Sequence, residues 1–261
     1  MNSADGIPAR FSEGPVTDGI VLLAAGSLKG AFVPLLARFH QLTGIAVEAR
    51  FAPAGLLRER IEAGERCSVF ASANRRHPQA LQQAGLAGEC WPFAANQLML
   101  TVRRTAATDK ADWLTLLCDP QLRLATSTPG CDPSGDYTWQ LFERIEASYP
   151  GAGREMMDRA RQLVGGRDSL SVPPGSTAGA WLIGEGLADL FIGYAHYARQ
   201  MTADAALRSV AIPPPWNVRA DYYLTQTEES AGAQRLSRFI LGDEGQGYLR
   251  AAGFLSLSGG S

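Results

Sequence analysis

Residues 20–28 read IVLLAAGSL, an apolar run that passes directly into glycine and serine. The apolar part, Ile20–Ala25, is typical of a strand buried on both faces of a parallel sheet. Apolar side chains then recur at helical spacing, at Leu28, Phe32, Leu35, Leu36 and Phe39. Gly44 is placed to end that helix. A buried strand that turns straight into an amphipathic helix predicts the start of an α/β fold.

The same arrangement, in which a turn of small residues follows a strand and opens a helix, occurs four times. The turns are Ala25-Gly26-Ser27, Ala52-Pro53-Ala54-Gly55, Asp132-Pro133-Ser134-Gly135 and Gly175-Ser176-Thr177. The first N–H groups of a helix have no partner within it and lie at the positive end of its dipole. Small residues let an anion approach those groups. Four such turns predict a site where neutral hydrogen-bond donors hold an oxyanion.

The order of the predicted elements indicates two α/β lobes, each a mostly parallel sheet flanked by helices, with the ligand in the cleft between them. Further strands are predicted at 98–102, 122–127, 190–194 and 221–225, and a long helix at 153–163. Residues 1–19 form an N-terminal tail and 20–96 begin lobe I. Residues 97–216 form lobe II, and 217–261 return to lobe I. The chain would cross between lobes near Asn96 and Trp216.

The composition excludes several classes of protein. The chain has 261 residues, 46% of them hydrophobic and 19% charged, as in an ordinary globular protein. Its formal net charge is −2 and it has no basic run, so we expect no nucleic-acid partner. No apolar stretch approaches the roughly 18–20 residues of a membrane span. Residues 1–19 lack the pattern of a signal peptide. The protein is therefore either cytoplasmic or an exported protein that carries a new start methionine.

No pattern of catalytic or metal-binding residues is found, so we expect neither an enzyme nor a cofactor. Residues 26–30 lack the spacing of a phosphate-binding P-loop. His40, His77 and His196 match no metal-ligand pair, and the first two are expected at the surface. The four cysteines, Cys67, Cys90, Cys118 and Cys131, have no C-x-x-C spacing, and whether any two form a disulfide stays open.

Several motifs resemble molybdate-binding proteins of the ABC-transporter type, which are class II periplasmic binding proteins. The motifs are Ala24-Ala25-Gly26-Ser27-Leu28, Arg60-Ile61-Glu62-Ala63-Gly64 with Val69-Phe70-Ala71-Ser72-Ala73, Asp189-Leu190-Phe191-Ile192-Gly193-Tyr194, Gly245-Gln246 and Gly253-Phe254. The resemblance runs from about residue 20 to residue 254. It implies a monomer in the periplasm, whose lobes close on molybdate or tungstate and which delivers that anion to an ABC permease. No metal beyond the bound oxyanion is expected.

The resemblance also implies the binding residues: Ser27, Ala54, Gly55, Ser134, Ser176 and Tyr194. The second turn departs from the family, because Pro53-Ala54-Gly55 offers only backbone N–H groups where a serine hydroxyl is common. Ser134 departs from the family in the opposite way, because it adds a hydroxyl to the third turn. Each of these residues also has a purely structural interpretation, as a helix cap or, for Tyr194, as a core aromatic.

Two carboxylates beside the third turn, Asp132 and Asp136, are candidates for direct coordination, because carboxylates join the metal coordination in an archaeal branch of that family. Alternatively, these two carboxylates only stabilise the start of their own helix. Two other functions stay open as well. The same fold could bind another small anion, such as a phosphonate or a carboxylate, or the chain could be an intracellular anion sensor.

Overall fold

The computed structural model describes residues 19–201 and 203–257 of the chain, so nearly all of the predicted N-terminal tail lies outside the described residues. The strands are β1 Ile20–Ala25, β2 Val47–Ala52, β3 Val69–Ser72, β4 Cys90–Arg103, β5 Leu124–Ser127, β6 Arg161–Val164, β7 Leu190–Tyr194, β8 Leu207–Ala211 and β9 Arg219–Gln226. The helices are α1 Lys29–Thr43, α2 Ala54–Glu62, α3 Arg76–Gln83, α4 Trp113–Cys118, α5 Pro133–Ser148, α6 Ala152–Arg159, α7 Ala178–Gly184, α8 Ala198–Met201, α9 Ala231–Leu241 and α10 Asp243–Ala251. The predicted α/β class is confirmed.

The first sheet contains β2, β1, β3, β9 and the first half of β4. Strand β1 pairs in parallel with β2 and β3, as the strand–helix–strand order predicts. Every residue of β1 is buried, as its unbroken apolar sequence predicts. Strand β9 pairs antiparallel with β3 and with β4, and this antiparallel pairing was not predicted.

The second sheet contains the remainder of β4 together with β7, β5, β6 and β8. Strand β5 pairs in parallel with β6 and β7, whereas β4 pairs antiparallel with β7 and β8. Strand β4 therefore belongs to both sheets: residues 90–97 pair with β9, and residues 98–103 pair with β7 and β8. The residue boundaries of the two lobes stay a prediction.

Two expectations about local structure were wrong. The predicted helix at 153–163 ends at Arg159, and Arg161–Val164 forms β6, because pairing with β5 overrides the helical pattern. The predicted strand 98–102 is confirmed and forms part of a longer strand, β4, of 14 residues. His77 was expected at the surface but is only 1% exposed.

Two further observations concern the helices and the cysteines. No helix among the described residues is long and apolar enough to cross a membrane. All four cysteines lie in the described part of the chain and are free thiols.

Candidate functional site

The two sheets meet where β4 changes partners, and polar side chains gather at this junction. Tyr222 of β9 lies opposite Ala94, just before the change, and Tyr194 of β7 lies opposite Leu98, just after it. Their rings are 5.8 Å apart between centroids. In sheets of this kind a ligand binds in the crevice at the carboxyl ends of the strands. Tyr194 is the last residue of β7 and therefore lies at such an end.

Ser27 reaches this junction from the turn that follows β1. Its Oγ lies 2.9 Å from the hydroxyl oxygen of Tyr222, and its side chain is half-buried. The carbonyl oxygen of Ser27 lies 3.1 Å from Nε2 of His196. The predicted binding residue Ser27 is thus held at both its hydroxyl and its backbone.

The proton on His196 can be placed from its neighbours. Asn96 Oδ1 accepts the N–H of Gln97 at 2.9 Å, which fixes the orientation of the Asn96 amide. The Asn96 Nδ2 group must then donate to His196 Nδ1, 2.8 Å away. A neutral His196 carries its proton on Nε2 and donates it to Ser27. Burial lowers the pKa of His196 to about 4, which keeps the ring neutral at physiological pH.

Tyr194 is a predicted site residue with a buried and unsatisfied hydroxyl. It is 5% exposed, and its hydroxyl oxygen makes no hydrogen bond of good geometry among the described residues, although the Tyr222 hydroxyl lies close enough to affect its pKa. Burial raises the pKa of Tyr194 well above its usual value, so the hydroxyl stays protonated and can donate. A buried hydroxyl without a partner costs about 1–3 kcal/mol. Such a cost indicates a group that meets its partner when a ligand binds.

The second turn contacts the third turn directly. The Gly55 N–H donates to the carbonyl oxygen of Cys131 at 2.8 Å. A Cβ at Gly55 would lie 2.5 Å from Gly130 O and 2.6 Å from Cys131 O, so the backbones can approach this closely only because residue 55 is glycine. In this conformation the Gly55 N–H is therefore taken by Cys131, and its role in binding an anion stays a prediction. Ala54 is fully buried beside it.

In the third turn, carboxylates accept the backbone N–H groups. Asp132 Oδ1 accepts the N–H of Ser134 at 3.1 Å, and Asp136 Oδ1 accepts that of Gly130 at 2.8 Å. Ser134 is 4% exposed. The sequence predicted N–H groups free for an anion here, and in this conformation these two are taken. The two acids interact with their own turn, and their coordination of a ligand stays a prediction.

Burial is the main influence on both carboxyl groups of this turn. Burial raises the pKa of Asp132 to about 6, and hydrogen bonds from Ser134 and Ser127 only partly oppose it. Burial also raises the pKa of Asp136, against the lowering effect of Arg76. Asp132 raises the pKa of both Tyr194 and Tyr197, so its carboxyl group lies near these hydroxyls.

The fourth turn lies apart from this cluster. Ser176 is exposed, and the side chain that caps α7 is that of Thr177, which accepts the N–H of Ala180. Ser176 lines an open groove of about 510 Å³ together with Gln200 and Asp204. Among the described residues no hydrogen bond joins Ser176 to Ser27 or Tyr194, and its role in binding stays a prediction.

Three residues of the cluster were not predicted as site residues: Tyr222, His196 and Asn96. Tyr222 alternates with Ala220 and Leu224 as a buried position of β9, which indicates a core aromatic and nothing more. His196 follows Tyr194 by two residues, and this spacing was the only available signal. The signal at Asn96 is only that a polar residue lies just before the strand predicted at 98–102.

Comparison with known proteins identifies the class. The family model for bacterial extracellular solute-binding proteins matches residues 20–255. An uncharacterized protein of Pasteurella multocida is 42% identical over 236 residues, which is 90% of this chain and 97% of that protein. The chain therefore belongs to the bacterial extracellular solute-binding proteins.

Solved structures with the same fold bind different solutes. The periplasmic molybdate-binding protein of Azotobacter vinelandii has a TM-score of 0.70 at 21% identity, over 90% of this chain and 98% of its own. The sulfate-binding protein SubI of Mycobacterium tuberculosis has a TM-score of 0.73 at 17% identity, over 92% and 88%. Iron-bound HitA of Pseudomonas aeruginosa has a TM-score of 0.66 at 16% identity, over 94% and 88%. These likenesses show the two-lobed periplasmic-binding-protein fold.

Proposed function

We propose that this protein captures a small tetrahedral oxyanion and delivers it to the permease of an ABC transporter. The observation that carries the proposal is the buried, unpartnered hydroxyl of Tyr194, beside the Ser27–Tyr222 pair. All three hydroxyls are neutral donors, and a hydrogen bond from such a donor to an anion is stronger than one to a neutral acceptor. An oxyanion supplies the acceptor that Tyr194 lacks.

Contacts between the two sheets would enclose such a ligand. The Tyr137 hydroxyl donates to Ala73 O at 2.7 Å, and Arg167 pairs with Glu59 at 2.7 Å. The Gly55–Cys131 hydrogen bond lies in the same region of contact. Removal of water from the cleft would strengthen each hydrogen bond to the anion, because the local dielectric constant falls.

Molybdate or tungstate is the ligand we favour. The motifs around Ser27 and Tyr194 support it, as does the fold shared with a molybdate-binding protein. Every oxygen of these dianions is an acceptor, so a donor from Ser27 and one from Tyr194 can both be satisfied. In this proposal the protein acts as a monomer in the periplasm and has no catalytic activity.

A ferric ion is less well supported, although HitA shares the fold. Tyrosine binds Fe³⁺ as the phenolate, whereas burial raises the pKa of both Tyr194 and Tyr222. Within residues 19–201 and 203–257, no three His, Cys, Asp or Glu side chains are grouped to hold a metal ion.

A phosphonate or a related protonated anion is the second candidate. The carboxyl group of Asp132 near Tyr194 and Tyr197 favours it, because an ionised carboxylate accepts a hydrogen bond from a protonated ligand oxygen.

A thermal-shift panel tests the proposal. The protein is unfolded, dialysed and refolded to remove any bound anion, and is then melted with molybdate, tungstate, sulfate, phosphate or ferric citrate. A ligand at a thousandfold excess over its Kd stabilises the native state by about 4 kcal/mol. For a chain of this size that is roughly 8–16 °C in Tm. We expect this shift with molybdate and tungstate and a much smaller one with sulfate and phosphate. An equal shift with sulfate would overturn the molybdate assignment, and no shift with any oxyanion would overturn the function.

A further inference from the structure

We propose that Tyr222 is a positioning residue for the binding site: its hydroxyl donates to Ser27 Oγ and so leaves the Ser27 proton free to bind the oxyanion. This inference rests on the proposed function and adds to it a residue that makes no contact with the ligand. It also assigns Ser27 the role of a donor rather than an acceptor.

Tyr222 is held rigidly, so its hydroxyl cannot leave Ser27 easily. The residue is 0% exposed, and rings surround it on three sides. The centroid of Phe254 lies 5.3 Å from that of Tyr222, that of Tyr194 5.8 Å and that of Phe93 6.1 Å. A tyrosine packed in this way keeps its hydroxyl oxygen at the 2.9 Å separation from Ser27 Oγ.

The direction of the hydrogen bond follows from what each hydroxyl can otherwise do. The Tyr222 hydroxyl is hydrogen-bonded to Ser27 Oγ, and the Tyr194 hydroxyl lies close enough to affect its pKa as well. If Ser27 were the donor, the Tyr222 proton could turn only toward the Tyr194 hydroxyl, which makes no hydrogen bond of good geometry, and it would be left unsatisfied in a buried position. Ser27 is only half-buried, so its own hydroxyl proton can be donated to water or to a ligand. Tyr222 is therefore the donor, and Ser27 the acceptor of this bond.

The backbone of Ser27 is fixed as well, so its free proton has a defined direction. His196 Nε2 donates to the Ser27 carbonyl oxygen, and Asn96 holds His196. With the carbonyl and one lone pair of Oγ occupied, the side-chain donor that Ser27 offers to a ligand is its O–H. An unprotonated oxygen is the best partner for that group.

A double-mutant cycle separates this role from a general structural one. Calorimetry with molybdate is carried out on the wild type, Ser27→Ala, Tyr222→Phe and the double variant. Tyr222→Phe keeps the ring contacts and removes one hydroxyl. Tyr223→Phe is the matched control, because Tyr223 lies on the opposite face of the same strand. The Tm of each ligand-free variant is measured alongside.

Tyr222→Phe should weaken molybdate binding by about 2- to 12-fold, the equivalent of one neutral hydrogen bond. In the Ser27→Ala background the same change should alter the Kd by less than about twofold, since its partner hydroxyl is gone. Losses that multiply in the double variant, or an unchanged Kd for Tyr222→Phe in a protein that binds molybdate, would overturn the proposal. If the wild type binds none of the oxyanions, the proposed function fails and this inference fails with it.

Discussion

The third turn and the carboxyl end of β7 were both predicted to bind the anion, but they differ in whether their hydrogen-bond donors already have partners within the protein. In the third turn the N–H groups of Ser134 and Gly130 are bound by Asp132 and Asp136. At the end of β7 the Tyr194 hydroxyl is buried with no partner among the described residues. The N–H donors of the third turn are therefore satisfied within the protein, whereas the hydroxyl donor at the end of β7 is not.

The difference shows what marks an anion site in this fold. A helix start offers N–H groups in principle, but a neighbouring carboxylate can satisfy them just as well as a ligand. A buried hydroxyl that remains unsatisfied costs stability, so it is stronger evidence of a ligand. We therefore expect Tyr194 to make the largest contribution to binding, which substitutions at the binding residues can test.

Tyr194→Phe should have the largest effect on binding. The change removes a hydrogen bond to a charged ligand, which contributes about 1.5–3 kcal/mol, so the Kd should rise by roughly 10- to 150-fold. The ligand-free protein should be as stable as the wild type or more stable, because an unsatisfied buried group is lost. Calorimetry and urea unfolding measure the two effects. Equal affinity for the two proteins would mean that Tyr194 is only a core aromatic.

Gly55→Ala should weaken binding without touching the hydroxyls. Its Cβ would meet two carbonyl oxygens of the third turn at 2.5 and 2.6 Å, so the two turns could not approach as they do. Such overpacking costs about 1–3 kcal/mol, which corresponds to roughly 5- to 150-fold in Kd if it falls on the closed state. Gly30→Ala is the control, since nothing lies within 4 Å of its Cβ position. Binding that survives Gly55→Ala unchanged would exclude this contact from closure.

Asp132→Asn should change the free energy of unfolding more than the affinity for molybdate. The change in the free energy of unfolding should appear only above about pH 4. The pKa of Asp132 rises from 3.8 to about 6 in the folded protein, so ionising the group costs free energy there. Its contribution to stability falls as the pH rises from about 4 to about 6, and the cost is complete above that range. Asparagine still accepts the Ser134 N–H.

The Asp132→Asn variant should therefore be more stable than the wild type at pH 7.5, by on the order of 1–3 kcal/mol, and equally stable at pH 4. Urea unfolding at the two pH values measures this, with Asp136→Asn as the companion variant. Affinity for molybdate should stay equal or improve a few-fold, because a negative charge near the anion is lost. A loss of more than about tenfold would instead make Asp132 a coordinating ligand.

Ser176→Ala should have the smallest effect. Ser176 is exposed, and Thr177 provides the cap of α7, so we expect the Kd to change by less than about twofold. Thr177→Ala should cost about 1 kcal/mol of stability through loss of the cap. A large loss of affinity in Ser176→Ala would place the fourth turn in the binding cleft, as the family resemblance implies.

Local patterns were enough to predict the strand, turn and helix around Ser27 and the end of β7 at Tyr194. They depend on burial and spacing within a few residues. The partner of Ser27 could not be predicted in this way, because Tyr222 is 195 residues away in the chain and its pattern is that of a core residue. The predicted end of the helix at 153–163 was wrong for a similar reason, since pairing with β5 decided the structure of residues 161–164.

The N–H groups of the third turn show a different limit. The sequence places Asp132 directly before Pro133, which is a helix-capping pattern, and the structure has Asp132 as the N-cap. The pattern could be seen, but it does not say whether the cap or a ligand takes the donors. Only the position of the carboxylate oxygen decides that.

Anomalous diffraction from crystals grown with tungstate tests the central claim most directly, because tungsten gives a strong signal that locates the anion. We expect one tungsten peak at the junction of the two sheets, with oxygens of the anion within about 3.2 Å of both the Tyr194 hydroxyl and Ser27 Oγ. A peak in the groove beside Ser176 and Asp204, or an anion that leaves the Tyr194 hydroxyl without a partner, would contradict it.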